Sequence, residues 1–134
     1  MIDMSSLQFN PMDMDFSVHI VKNFDPDCLV VHFSGHPDSF DRIKQATGRL
    51  GNDGKRHNMI LDFSKIDISV EYLRFFFDQL KHTLDQHALE WCSVSPPSAQ
   101  NYIPKGLHYV MKNEKPVFSS VDEAKNWILE KGFK

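Results

Sequence analysis

Cysteine is nearly absent: Cys28 and Cys92 are the two in the chain, and each stands inside an apolar run that reads as a strand. A reduced thiol there behaves as a small hydrophobe, so no disulfide framework is expected, and neither thiol has a glycine-flanked helix start to activate it. Glycine is scarce as well, six in 134 residues. Gly48, Gly51 and Gly54 precede a strand instead of opening a helix, which excludes a phosphate loop and a dinucleotide fingerprint, and no Gly-x-Ser-x-Gly turn occurs. No window approaches the roughly 18 consecutive apolar residues of a spanning helix, and the N-terminus lacks a charged region followed by an apolar run and a cleavage site. A cytoplasmic protein without membrane association is the expectation. An excess of positive charge is also missing: the net charge is −3. Nucleic-acid binders usually carry a clustered basic face, and the densest basic stretch here, Lys55-Arg56-His57, lies between a glycine-rich turn and a strand, where a solvated loop accounts for it. Nucleic acid is not an expected partner.

What is present is a composition of one folded domain, with 41% hydrophobic and 25% charged residues. Residues 1–15 hold four methionines but no period of 2 or 3.6 and read as a flexible arm, leaving 16–134 as the domain. Two strands joined by a hairpin-like turn are expected over Phe16 to Val21 and Cys28 to Phe33, with Asn23-Phe24-Asp25-Pro26-Asp27 supplying the turn chemistry. Phe40, Ile43, Thr47 and Leu50 recur at helical spacing. Met59-Ile60-Leu61-Asp62-Phe63 is short and continuously apolar until its end, as a central strand covered on both faces would be.

After Ile66-Asp67-Ile68, Ser69 is placed to cap a helix whose core arc comprises Val70, Leu73, Phe77, Leu80 and Leu84, with Phe76 at its margin. A strand over Leu89 to Val94 follows. Pro104 and Gly106 predict short or broken helical structure after Ser98. Pro116-Val117-Phe118 reads as a last brief strand, and Ser120-Val121-Asp122-Glu123 as a capping box opening a helix from Val121 to Glu130. The order β-β-α-β-α-β-(α)-β-α favours a mainly parallel sheet entered through a hairpin.

Three pieces of this order resemble the STAS domain of bacterial anti-sigma-factor antagonists and sulphate-transporter tails. They are the strand ending Phe33-Ser34-Gly35, the Leu61-Asp62-Phe63-Ser64 strand end with Ile66-Asp67-Ile68, and the stretch Val117-Phe118-Ser119-Ser120-Val121-Asp122-Glu123-Ala124. The resemblance implies an α/β fold with a mixed, mainly parallel sheet of four to five strands and helices packed mainly on one side. It also implies a non-enzymatic regulatory or adaptor role, exercised by docking a protein partner such as a kinase-type anti-sigma factor or a sensor near the start of the second helix. A homodimer is compatible with it. In the antagonists a phosphorylatable Ser or Thr, followed by a small residue and Gly, sits at that helix start. The matching stretch here is Ser69-Val70-Glu71-Tyr72; the hydroxyl position falls on Val70 or Glu71, and the glycine is missing. Ser69 is therefore expected to act as a cap and not as a switch. The pattern Ala124-Lys125-Asn126-Trp127 resembles the SpoIIAA-like proteins, which implies an alternative role as carrier of a small apolar or lipid ligand, and eleven phenylalanines suit it.

Chemistry-bearing residues are otherwise sparse. His32 and His36 are four apart but straddle a strand end and Gly35, and His82 and His87 are five apart and so on different faces of a helix; neither is the i,i+4 pair on one helix that a zinc helix presents, and no metal is expected. Asp62 and Asp67 flank the loop after the central strand and are expected to cap it through Asx-type hydrogen bonds. No cofactor motif is found. On the second helix, Phe75 falls opposite the core arc among Glu71, Asp78, Gln79 and His82, where its own helix offers nothing to bury it. Ser69, Glu71, Phe75, Asp78 and His82 are accordingly the candidate partner-binding residues.

Overall fold

The computed structural model describes residues 16–95 and 102–131. The expected arm, residues 1–15, lies outside them. Strands β1 (Ser17–Phe24) and β2 (Asp27–Gly35) form the hairpin, closed by Asp25 and a cis Pro26, with Asn23 Nδ2 donating to the Pro26 carbonyl at 2.7 Å. Helix α1 (Phe40–Gly48) and a 3-10 turn lead to β3 (His57–Ile66). Then come α2 (Val70–His87), β4 (Ala88–Val94), α3 (Tyr102–Met111), β5 (Val117–Phe118) and α4 (Val121–Lys131). The sheet order is β1-β2-β3-β4-β5, antiparallel in the hairpin and parallel thereafter.

That order determines where the helices go. Each parallel step moves one strand in the same direction, and a right-handed crossover repeated in one direction puts every connecting helix on the same face. Helices α1, α2 and α3 therefore share one face, over a core that includes Val31, Phe33, Leu61, Phe63, Phe76 and Leu80. Helix α4 follows the last strand, is free of that constraint and covers the other face, where Ala124 and Ile128 meet Cys28, Val30, Ile60, Cys92 and Val94. β3 is the central strand, and both faces of it are buried as its apolar run implies. Burial pushes the Cys92 thiol up to about 12 and raises Cys28 too, so neither is a thiolate at neutral pH.

Local chemistry explains the boundaries. Ser39 Oγ accepts from Arg42 N–H at 3.2 Å and starts α1. The capping box at α4 closes with Ser120 Oγ accepting from Glu123 N–H at 3.2 Å, while Glu123 Oε1 reaches one residue further back than expected, to Ser119 N–H at 3.0 Å. Arg56 is more than a loop cation: its guanidinium donates to the Gln86 and Ala88 carbonyls, satisfying the end of α2. Beside it, the Lys55 N–H and His57 Nε2 hold the Asp53 carboxyl below the usual carboxylate range. At the edge strand, Arg42 of α1 and Arg49 of the 3-10 turn donate to the Phe16 and Val18 carbonyls.

Two expectations are corrected. α3 runs unbroken through Pro104 and Gly106. Pro104 is its third residue, in the first turn, where an N–H has no intrahelical acceptor to lose. Phe40 and Val70, assigned to core arcs from their spacing, stand at helix starts, 48% and 87% exposed. The buried face of α2 centres on Leu80 instead, with Phe76, Phe77, Thr83 and Leu84 around it.

Candidate partner-binding surface

The five candidate residues lie along one helix. Stepping about 100° per residue places Glu71, Asp78 and His82 within an arc of roughly 40°, with Phe75 at its edge. Glu71, Asp78 and His82 are exposed, and Asp78 accepts from Arg74 Nε at 3.3 Å. Ser69 occupies the N-cap with extended backbone (φ −71°, ψ 156°), as its position implies. Its side chain nevertheless makes no capping hydrogen bond; the backbone closes the first turn, Tyr72 N–H donating to the Ser69 carbonyl at 3.1 Å. Ser69→Ala is therefore expected to change stability by less than about 0.5 kcal/mol, below the usual cost of losing a working cap, as urea melts of the two proteins would read.

Phe75 differs most from the expectation. It is half-buried and packs at the border of the main core, because α1 supplies the cover its own helix lacks. The Phe40 ring meets Phe75 edge-on at 5.0 Å and Tyr72 at 5.1 Å, and Tyr72 Oη donates to the Asp38 carbonyl at 3.0 Å. Three aromatic rings thus line the seam between the start of α1 and the first two turns of α2, with Val70 and Glu71 exposed at the same end of α2. Phe40, Tyr72 and Val70 escaped sequence reasoning. The available signal was an aromatic residue directly after an N-cap serine, a position that seldom reaches the core.

Elsewhere the polar candidates behave structurally. Asp62 lies inside β3 instead of in a loop; its Oδ1 accepts from Ser64 N–H at 3.0 Å and Ser64 Oγ at 2.7 Å, the Asx-type pattern expected, and its Oδ2 lies 2.8 Å from His32 Nδ1. Asp67 Oδ2 stands 3.3 Å from His36 Nε2. Among the described residues no group of three or more His, Cys, Asp or Glu side chains is placed to hold a metal ion, and no helix is long and apolar enough to cross a membrane.

No family model matches the chain, and no curated protein matches it. Solved structures do. An anti-sigma factor antagonist from Mycobacterium paratuberculosis superposes with a TM-score of 0.61 at 16% identity, covering 86% of this chain and 95% of that one. An uncharacterized protein with a SpoIIAA-like fold from Shewanella loihica superposes with a TM-score of 0.63 at 15% identity, covering 92% and 98%. At these identities the likeness is one of fold. The chain has the STAS or SpoIIAA-like architecture that its motif order implies.

Proposed function

We propose that the chain is a non-enzymatic regulatory or adaptor module of STAS type that binds a protein partner through the start and outer face of α2. The observation that carries this reading is the half-open aromatic seam of Phe40, Tyr72 and Phe75, flanked by the exposed Val70 and by the polar strip Glu71, Asp78 and His82. A shallow apolar center with a polar rim is the usual composition of a docking surface. Ser69 belongs to its rim. The fold neighbour that is an anti-sigma factor antagonist supports a partner of the kinase-type anti-sigma class, or a sensor. Two free, buried thiols fit work in the reducing cytoplasm.

The test compares wild type with Phe40→Ala and Phe75→Ala in quantitative binding to a partner recovered from native cells. Each substitution should weaken the complex by about 2 kcal/mol, roughly thirtyfold. Phe75→Ala should also cost about 1–2 kcal/mol of stability, since part of the ring is buried. Undiminished affinity in both variants would remove the seam from the interface.

A second reading, a carrier of a small apolar or lipid ligand, is favoured by a groove of about 640 Å³ between α2 and α3. Val110 and Tyr109 give it apolar lining, Arg74, Asp78, Lys81 and Lys112 give it a charged rim in which Arg74 pairs with Asp78, and burial holds the His108 imidazole below its ordinary pKa. A bound amphiphile seen by native mass spectrometry would support this reading.

A further inference from the structure

On the sheet face opposite α1, α2 and α3, helix α4 packs chiefly over β3, β4 and β5. Beside it a row of polar side chains crosses three strands. His19 of β1 is the register partner of His32 in β2, and His32 that of Asp62 in β3. The two imidazoles stack at 6.2 Å with planes 28° apart. One row along, Ser17 and Ser34 are register partners on the same face, their hydroxyls 2.8 Å apart, at a distance of roughly 7 Å along the strands.

The described residues contain three histidine–carboxylate pairs, and they differ in a decisive way. His57 is 9% exposed and meets Asp53 through Nε2, and His36 meets a freely exposed Asp67 through Nε2. His32 alone turns Nδ1 to its acid and remains 39% exposed, while the acid is 13% exposed and pinned by Ser64. An ionised Asp62 makes Nδ1 the protonated nitrogen, so the Nε2 lone pair is the free one. A carboxylate on the far nitrogen fixes the tautomer and holds the ring in place.

We propose that His32 Nε2 is a phosphoryl-acceptor site, charged by a donor of the acyl-phosphate or phosphoramidate class. The Nε2 lone pair forms the new N–P bond as the donor's O–P or N–P bond breaks, and the leaving group departs with that electron pair. The ring keeps its Nδ1 proton and becomes an N-phosphoimidazolium, whose positive charge Asp62 neutralises through the bond already in place. Ser17 and Ser34 supply hydroxyl donors beside the phosphoryl oxygens. The site lies on the opposite side of the sheet from the aromatic seam and does not depend on it.

The full chain is incubated with acetyl phosphate and, separately, with phosphoramidate, and followed by 31P NMR and peptide mapping. One acid-labile phosphoryl group per chain should accumulate on His32. It should vanish in His32→Gln, form about tenfold more slowly in Asp62→Asn, and form at the wild-type rate in His36→Gln. Imidazole 15N shifts of the unmodified wild type should show His32 protonated at Nδ1, a readout that needs no variant to fold. Labels spread evenly over several histidines, no label with either donor, an undiminished rate in Asp62→Asn, or an Nε2–H tautomer would each overturn the assignment.

Discussion

Phe76→Ala is expected to cost about 3–5 kcal/mol, a large share of the stability of a domain this size. The ring is fully buried, and four other aromatic rings surround it: Phe33 at 5.6 Å, Phe77 at 6.0 Å, Phe16 at 6.2 Å and Phe63 at 6.3 Å. These partners come from β1's entry, β2, β3 and α2 itself, so the ring ties the hairpin to the central strand and to the helix above them. Truncation loses the transfer free energy of the ring and leaves a cavity walled by aromatic rings on β2, β3, α2 and the residue before β1, which cannot collapse together. Two Phe contacts, with Phe16 and Phe33, are edge-on near 90°, an arrangement worth more than its buried area. Thermal melting should drop by roughly 10–20 °C. A loss no greater than that of the half-buried Phe75→Ala would show that the ring is not the keystone of the sheet-to-helix contact.

Phe76 also shows where sequence reasoning reaches its limit. Element order, the central strand and the Ser120 cap follow from period and turn residues, which are local, whereas Ser69 takes the N-cap position without making the side-chain bond. The phase of α2 does not follow from such local signals. Phe75, Phe76 and Phe77 are consecutive, and Val70 at the helix start pulls the apparent apolar arc toward itself, although at that end no element lies beneath it and it stands 87% exposed. The arc is set by neighbours: α1 receives Thr83, whose Oγ1 donates to the Thr47 carbonyl, and gives Phe75 the cover of Phe40. The outward placement of Glu71, Asp78 and His82 was legible because charge and period agree there. The seam was not, because it joins residues more than thirty positions apart. For the same reason the His32–Asp62 pair is invisible without strand register: each residue alone reads as an ordinary polar group at the end of an apolar run.

Phe77 and Gly106 are expected to be coupled strongly enough to reverse the sign of a substitution. Phe77 is 4% exposed, and Phe77→Ala should cost about 3–5 kcal/mol, as for any buried ring. Gly106 lies mid-helix in α3, where alanine normally stabilises by about 1 kcal/mol through backbone entropy. Here an added Cβ would stand 2.3 Å from Phe77 Cε2 and 2.6 Å from Cζ. The ring edge therefore rests against the α3 backbone, and the glycine is what permits the approach. A buried ring confined by Phe76 and the core beneath cannot swing aside freely, so Gly106→Ala should meet an overpacking cost of about 1–3 kcal/mol. That cost equals or exceeds the helix gain, and the net effect in the wild-type background should be a loss of up to about 2 kcal/mol. In the Phe77→Ala background the obstacle is gone, the new methyl enters the vacated space, and the same change should stabilise by about 1 kcal/mol. Urea melts of the four proteins in this double-mutant cycle read the coupling directly. Additive effects would mean that α3 shifts as a rigid unit to accommodate the methyl, and that the contact between Phe77 and α3 does not fix how the two helices pack.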